Sequence, residues 1–314
     1  MQYNHIFGPV PSRRLGISLG IDLVTHKICS LNCIYCECGK TTQLTLERRE
    51  YVRFEDVIKE LDYYWQHNAD PDYITFSGSG EPTLNCRLGD VIEYIKEKKP
   101  WIKVAVLTNS TLFSDPCVRK ELLKADLVVP SLDAVSKKGF ARINRPDQKL
   151  EIHKLVRGIE IFSEEYNGRL WLEVFILPGI NDGKSDILLL KDVIKTINPD
   201  RVQINTLDRP GTLLDIKPAS RSDLEKVIRT LGFPNIEIIA KVDAQIKAGI
   251  KRKDVKAAII ETIHRRPCTK TDLLQILGVE KQVIDNNINL LEKEKKIIGK
   301  TRERGVFYQT LKEQ

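Results

Sequence analysis

The sequence predicts an α/β fold, a parallel sheet curling into a barrel or open barrel, followed by a small winged helix-turn-helix domain. Three observations carry this. Apolar runs recur at intervals filled by helical patterns; those runs are nearly continuous rather than alternating, as in strands buried on both faces; and the texture changes after Ala240.

Taken in order, Gly16–Val24 (GISLGIDLV), Asp72–Ser77 (DYITFS), Ile102–Thr108 (IKVAVLT) and Ala125–Leu132 (ADLVVPSL) read as strands. Leu170–Leu177 (LWLEVFIL) and Arg201–Thr206 (RVQINT) continue the series, with Ile236–Ile239 as a candidate seventh. Between them, Phe54–Gln66 places Val57, Ile58, Leu61 and Trp65 on one helical face. Leu88–Lys98, Asp115–Lys124, Leu150–Glu165, Ser185–Ile197 and Arg221–Leu231 behave in the same way. Repeated strand–helix units of this length build a parallel barrel.

The last segment differs. Lys247–Lys256 is basic, and Asp254–His264, Lys270–Leu277 and Lys281–Glu294 read as helices before a hairpin turning near Arg302–Gly305. Thr269 with Asp272 makes a capping pair and Gly278 a left-handed stop. Lys281–Glu294 takes the recognition-helix position. The boundaries are residues 1–248 for the barrel and 249–314 for the basic domain.

Composition excludes several classes. At 41% hydrophobic and 30% charged residues the chain suits a soluble globular protein. No apolar run approaches the roughly 18 residues of a membrane span, and the N-terminus lacks a signal peptide's pattern. The expected compartment is the cytoplasm, where thiols stay reduced. The net charge of +7 has one source: residues 241–314 hold 17 Lys and Arg against 10 Asp and Glu, and the rest of the chain is balanced.

Four of the seven cysteines, Cys29, Cys33, Cys36 and Cys38, fall within ten residues, which points to a ligand cluster rather than disulfides. Cys86, Cys117 and Cys268 stand alone and read as small buried hydrophobes. The C-x3-C-x2-C spacing of CSLNCIYC follows a strand end, so thiolates are presented at the carboxyl edge of the sheet. Three thiolates leave one iron of a [4Fe–4S] cluster open, whereas electron-transfer clusters take four cysteines. The alternative is a zinc site with Cys38 or His26 as fourth ligand.

CxxxCxxC with an aromatic, Tyr35, before the third cysteine resembles the signature of the radical S-adenosylmethionine (SAM) superfamily. The resemblance implies a partial (β/α)6 TIM-like barrel of the radical SAM type, one cluster on Cys29, Cys33 and Cys36, and SAM chelating the open iron. An electron from a donor such as a flavodoxin or ferredoxin then cleaves the C–S bond, giving methionine and a 5′-deoxyadenosyl radical. Ser77-Gly78-Ser79-Gly80-Glu81 is similar to the superfamily's Gly-Gly-Glu strand end, with Ser79 as a departure. It makes Gly78, Gly80 and Glu81 candidates for the SAM amino group. Asn109, Ser131 and Asp133 at the next two strand ends, and Arg142 with Arg145 in FARINRP, are further SAM-contact candidates.

Glu173 inside an apolar strand needs a partner and, with Gln203 and Asn205, faces a polar barrel interior. These three, with Arg13 and Arg14, are candidate substrate contacts. GPVPSRRLG, SLGIDL, LPGIND and NTLDRPG together resemble a subgroup placed with wybutosine-type tRNA-modifying radical SAM proteins, over most of residues 7–215. That subgroup is heterogeneous in substrate; it is the excess charge of the basic domain that suggests nucleic-acid contact, through Lys251, Arg252, Lys253, Arg265, Arg266, Lys300, Arg302 and Arg304, with Asn286 and Asn287 as base-reading candidates. Partner docking or a structural lid are the other readings of that domain. A small-molecule or peptide substrate, and a non-catalytic iron–sulfur transcriptional regulator binding DNA, are the competing functions. A regulator needs no SAM pocket.

Overall fold

The computed structural model describes residues 3–12, 14–25, 27–213, 215–239, 255–302 and 304–311. Arg13, His26, Lys251, Arg252 and Lys253, most of the basic stretch and the boundary at residues 248/249 lie outside the described residues.

Eight strands form one sheet in the order β1-β2-β5-β6-β7-β8-β9-β10. They are β1 (Ile6–Ser12), β2 (Gly16–Ile21), β5 (Tyr73–Phe76), β6 (Lys103–Thr108), β7 (Leu127–Pro130), β8 (Arg169–Phe175), β9 (Arg201–Asn205) and β10 (Ile236–Ile238). From β2 onward every pairing is parallel. A short parallel pair, β3 (Ile28–Cys29) and β4 (Gln43–Leu44), frames the cysteine loop.

The seven parallel strands match the sequence expectation, including the short seventh. Their apolar residues Ile74, Val104, Val106, Val128, Leu172, Val174, Val202 and Ile204 are buried in one continuous core. The helices α1 (Phe54–His67), α2 (Leu88–Lys98), α3 (Pro116–Leu122), α4 (Lys137–Ile143), α5 (Ile152–Glu165), α6 (Lys184–Ile197) and α7 (Arg221–Leu231) complete the crossovers. Each turns an apolar stripe inward; in α1 it is Val57, Leu61 and Tyr64. This is a partial TIM-like barrel.

Besides the two-residue strands β3 and β4, two elements were not read from the sequence. β1 (IFGPVPS) runs antiparallel to β2 and irregularly between Phe7 and Val10. Its two prolines disguise it, and they are tolerated because it is an edge strand. Glu60 on α1 anchors its start by accepting the backbone N–H groups of Asn4, His5 and Ile6 at 2.8–3.0 Å. The short α4 lies within the FARINRP region, capped by Ser136.

The C-terminal unit comprises α8 (Val255–Arg265), α9 (Lys270–Leu277), α10 (Lys281–Lys293) and the antiparallel hairpin β11 (Ile297–Arg302)–β12 (Gly305–Thr310). The Thr269–Asp272 capping box forms, and Gly278 closes α9 at φ 61°. Ile259, Leu273, Ile284, Ile288, Leu291 and Ile297 make a second core. The unit packs α9 against β1, at the open edge of the barrel. Among the described residues no helix is long and apolar enough to cross a membrane.

Candidate active site

The carboxyl ends of the parallel strands converge on the cysteine loop. After β2 comes Asp22, after β5 the Ser77–Glu81 turn, after β6 Asn109, after β7 Ser131 and Asp133, and after β9 Asp208 and Arg209. Cys29 is buried, and Cys33, Cys36 and Cys38 are half-buried. The loop is braced from two sides. Asn32 N and Ile34 N donate to the carbonyls of Asn144 and Ile143, both at 3.0 Å, and Leu213 N donates to Ile34 O. Gly211 lies against Tyr35: a Cβ there would come within 2.9 Å of the Tyr35 backbone. Two of the motif-bearing segments, FARINRP and NTLDRPG, therefore build the loop's support.

The three expected ligand thiols each face one side-chain N–H donor, and Leu31 and Cys38 add backbone N–H groups at Cys29 and Cys36. Lys27 Nζ donates to Cys36 Sγ at 2.5 Å, Asn109 Nδ2 to Cys29 Sγ at 3.4 Å and Asn144 Nδ2 to Cys33 Sγ at 3.5 Å. Cys38 differs, its thiol donating to Gly78 O at 3.4 Å. Burial works against a charge on Lys27, yet Cys36, Cys29 and Cys38 hold its ammonium above the usual lysine range. Sharing of a proton with Cys38, together with Lys27, holds Cys36 below the ordinary thiol range, and Cys38 is correspondingly raised. Burial pushes Cys29 up to about 11, and pushes Cys33 up as well. A buried cation aimed at thiols fits an anionic cluster bound by Cys29, Cys33 and Cys36, with Cys38 outside the set. Among the described residues no three His, Cys, Asp or Glu side chains are arranged to hold a single metal ion; His26, named in the zinc alternative, lies outside them.

The glycine–glutamate turn is fixed to the same loop. A Cβ on Gly80 would lie 1.8 Å from Ile28 O, and one on Gly78 (φ +145°) would lie 2.4 Å from the Asp22 carboxyl carbon. Ser79, the departure from the motif, has a role in the fold: its N–H and hydroxyl donate to Asp22 Oδ2 at 2.9 and 2.6 Å. Glu81 differs from expectation. Its carboxylate is buried and accepts from Thr83 N and Oγ1, Thr108 Oγ1 and Asn109 N. Burial still raises its pKa. The side chain is engaged inside the fold.

Asp133 is likewise occupied. It accepts from Tyr35 Oη at 2.5 Å, Asn144 Nδ2 at 2.6 Å and Phe175 N at 2.9 Å, and burial pushes its carboxyl up to about 6. Tyr35 stacks on Phe175, ring centroids 3.9 Å apart, and burial raises its phenol well above the usual range. Ser131 is half-buried beside Glu173 through a backbone bridge. Arg142 donates to Gly179 O and Ile180 O, so its guanidinium is tied to LPGIND rather than aimed at a ligand. Asn109, by contrast, reaches the cysteine loop itself.

The barrel interior brings Glu173 and Gln203 together as expected, with Arg14 between them. Arg14 Nη1 is 2.5 Å from Glu173 Oε2 and 2.9 Å from Gln203 Oε1. Asn205 stands on the wall of the same cavity, a space of about 1190 Å³ lined also by Cys36, Cys38 and Gly78 on the barrel side. Its far wall is the C-terminal unit, through α8 and α9.

Sequence reasoning missed the connection between the two units. Arg304 donates to both oxygens of Asp208 at 2.7 Å and to Asp272. Arg209, buried, lies 3.2 Å from Glu37 in the cysteine loop and near Asp208 and Asp272. Arg265 Nη1 is 3.3 Å from Asp22 Oδ2 and its guanidinium covers the Phe7 ring. Arg265 and Arg304, assigned by sequence to a nucleic-acid face, instead point into the barrel. Of the lone cysteines, Cys268 is buried as expected but Cys86 and Cys117 are exposed.

A partial parallel barrel with thiols at its carboxyl edge defines an iron–sulfur enzyme scaffold, and the chain belongs to the radical SAM superfamily, matched over residues 23–190. It is a radical SAM enzyme, with a [4Fe–4S] cluster and S-adenosylmethionine as cofactors. Its relatives narrow the grouping. It is 32% identical to a UPF0026 protein of Methanocaldococcus jannaschii, over 96% of this chain and 94% of that one. It is 36% identical to a Brachyspira hyodysenteriae protein named GTPase Obg, over 96% of this chain but only 44% of that protein's length. A probable dual-specificity RNA methyltransferase RlmN of Thermotoga petrophila is 24% identical, over 73% of this chain and 64% of that one. A radical SAM methyltransferase from Sphaerobacter thermophilus shares the fold, with TM-score 0.53 and 16% identity, over 70% of this chain and 65% of that one.

Proposed function

We propose that this radical SAM enzyme modifies RNA, which its C-terminal unit, a winged helix-turn-helix, holds against the barrel mouth. The observation that carries the reading is the division of charge within that unit. Arg265 and Arg304 are spent inward on Asp22 and Asp208, while an outer face of α10 and the hairpin keeps Lys281, Gln282, Asn286, Asn289, Lys293, Lys300 and Arg302 exposed, with Glu292 and Glu294 among them. Cations for phosphates interleaved with amides for base edges suit a nucleic acid. The likeness to an RNA methyltransferase and the wybutosine-type motifs support the same substrate class.

When bound, the cluster and SAM together supply a 5′-deoxyadenosyl radical. The chain's own residues do the rest. Cys29, Cys33 and Cys36 are the cluster ligands, and the Gly78–Gly80 turn brings its backbone to the cofactor, glycine being imposed there by the close approach of Asp22 and Ile28 O. Tyr35 and Phe175 stack at the cavity wall, and Arg14, Glu173 and Asn205 present polar groups to the substrate, while Gln203, read from the sequence as a substrate contact, is fully buried between Arg14 and Glu237 and holds Arg14 from behind. A flavodoxin or ferredoxin supplies the electron.

The test is anaerobic reconstitution, dithionite reduction and assay of 5′-deoxyadenosine with and without total RNA, beside RNA binding at several salt concentrations. Expected are SAM cleavage stimulated by RNA and an affinity that falls steeply with salt, with Lys281→Glu/Lys293→Glu lowering the slope. RNA affinity indifferent to salt, or SAM cleavage stimulated only by small metabolites, overturns the RNA reading and leaves the enzyme class standing.

A further inference from the structure

The side-chain donors around the cysteine loop form a set with one member per ligand. Cys29 receives Asn109 Nδ2, Cys33 receives Asn144 Nδ2 and Cys36 receives Lys27 Nζ. The two amides are held by groups remote from the loop. Asn109 Oδ1 accepts from Thr111 N at 3.1 Å and Thr111 Oγ1 at 2.7 Å, which fixes the amide with its NH2 toward Cys29 and toward Ser30 Oγ, to which it donates at 2.9 Å. Asn144 Nδ2 also donates to Asp133 at 2.6 Å, and Asp133 is anchored by Phe175 N. Lys27 is 4% exposed, and among the described residues no carboxylate forms an ion pair with it. An ammonium so buried is unstable unless an anion faces it. The groups that face it are thiols.

We propose that Lys27, Asn109 and Asn144 are positioning residues that set the reduction potential of the cluster, each through one N–H directed at one ligand sulfur. The inference rests on the assignment of the cluster to Cys29, Cys33 and Cys36. Reduction adds one electron to the cluster, delivered by the low-potential donor, and the added negative charge spreads onto the ligand sulfurs. Donors pointing at sulfur therefore stabilise the reduced form more than the oxidised one, and cluster potentials follow such hydrogen bonds. A charged donor acts more strongly than an amide, so Lys27 ranks above the two asparagines.

The full-length chain is reconstituted anaerobically as wild type, Lys27→Met, Lys27→Arg and Asn144→Leu. Iron and sulfide per chain are measured, and the cluster is titrated against redox dyes without SAM, its reduced form followed by electron paramagnetic resonance. Lys27→Met is expected to shift the equilibrium about tenfold toward the oxidised form, about 59 mV lower for a one-electron couple. Asn144→Leu shifts it the same way by a smaller factor, and Lys27→Arg stays within about twofold of wild type. Variants with wild-type iron and sulfide and an unmoved midpoint overturn the proposal. If Lys27→Met holds no cluster, Asn144→Leu decides: an unmoved midpoint in it overturns the proposal equally. A wild-type chain that takes up no iron refutes the cluster assignment instead, so the two failures are distinct.

Discussion

The C-terminal unit is fastened to the barrel by a charge cluster that can be dissected. Arg304 grips both oxygens of Asp208, with side-chain exposures of 23% and 8%. Opposite charges about 4 Å apart, at an effective dielectric near 20, attract by about 4 kcal/mol. Desolvating both groups takes back a large part, and Arg209, 3.7 Å from Asp208, partly compensates when Arg304 is lost. A pairwise coupling of about 2 kcal/mol remains. The measurement is a double-mutant cycle of Arg304→Met and Asp208→Asn by urea denaturation, which cancels each residue's separate contacts. Arg304→Met alone should destabilise by about 2–3 kcal/mol, because Asp208 and Asp272 both lose a cation. A coupling below about 0.5 kcal/mol, the value of an exposed pair, would refute the view that this contact docks the unit beside the cysteine loop.

Three further outcomes follow from the site. Gly80→Ala forces a methyl against Ile28 O and should cost at least about 3 kcal/mol, with loss of iron uptake, seen by thermal unfolding and iron content. Glu81→Gln must turn its amide nitrogen toward a backbone N–H of Thr83 or Asn109, so it should lower stability by about 1–3 kcal/mol even in cofactor-free protein; a variant of unchanged stability that only binds SAM poorly would contradict the geometry. For Asp133 the folded carboxyl, up at about 6, retains a proton that the unfolded chain has lost above its ordinary value of 3.8. The folded state thus binds more protons across that window, and stability falls as pH rises through it, by about 3 kcal/mol at 1.36 per unit. Denaturation of cluster-free wild type and Asp133→Asn at pH 4 and 6.5 should show this extra fall in the wild type alone.

The fold was legible wherever burial on both faces wrote an uninterrupted apolar run. β6 and β8 coincide with such stretches, β9 (RVQIN) showed instead as alternation, and α2, α7 and α9 end at the residues their patterns implied. β1 escaped because prolines and a glycine occupy an edge position, where missing N–H donors and weak β preference go unpunished. Its place follows from Glu60, more than fifty residues away, which no local pattern reveals.

At the site, residue types announced the chemistry but not which group each side chain would face. The cysteine spacing and the glycine–glutamate turn were readable because ligand geometry and close backbone approach demand those residues at those intervals. Glu81 and Asp133 looked like free acceptors at strand ends; the fold spends both, one on Thr83, Thr108 and Asn109, the other on Tyr35, Asn144 and Phe175. Their value to the site is to hold the donors that face the thiols: Glu81 fixes the backbone of Asn109, and Asp133 aims the amide of Asn144. Arg265 and Arg304 reversed direction for a similar reason, since Asp22 and Asp208 lie 243 and 96 residues away and sequence separation hides such partners. Lys27 carried one local signal, a lysine flanking an apolar strand that leads into the cysteines. A lysine there reads as surface until the thiols that neutralise it are placed, so the same convergence of strand ends that builds the cluster site also makes this cation permissible.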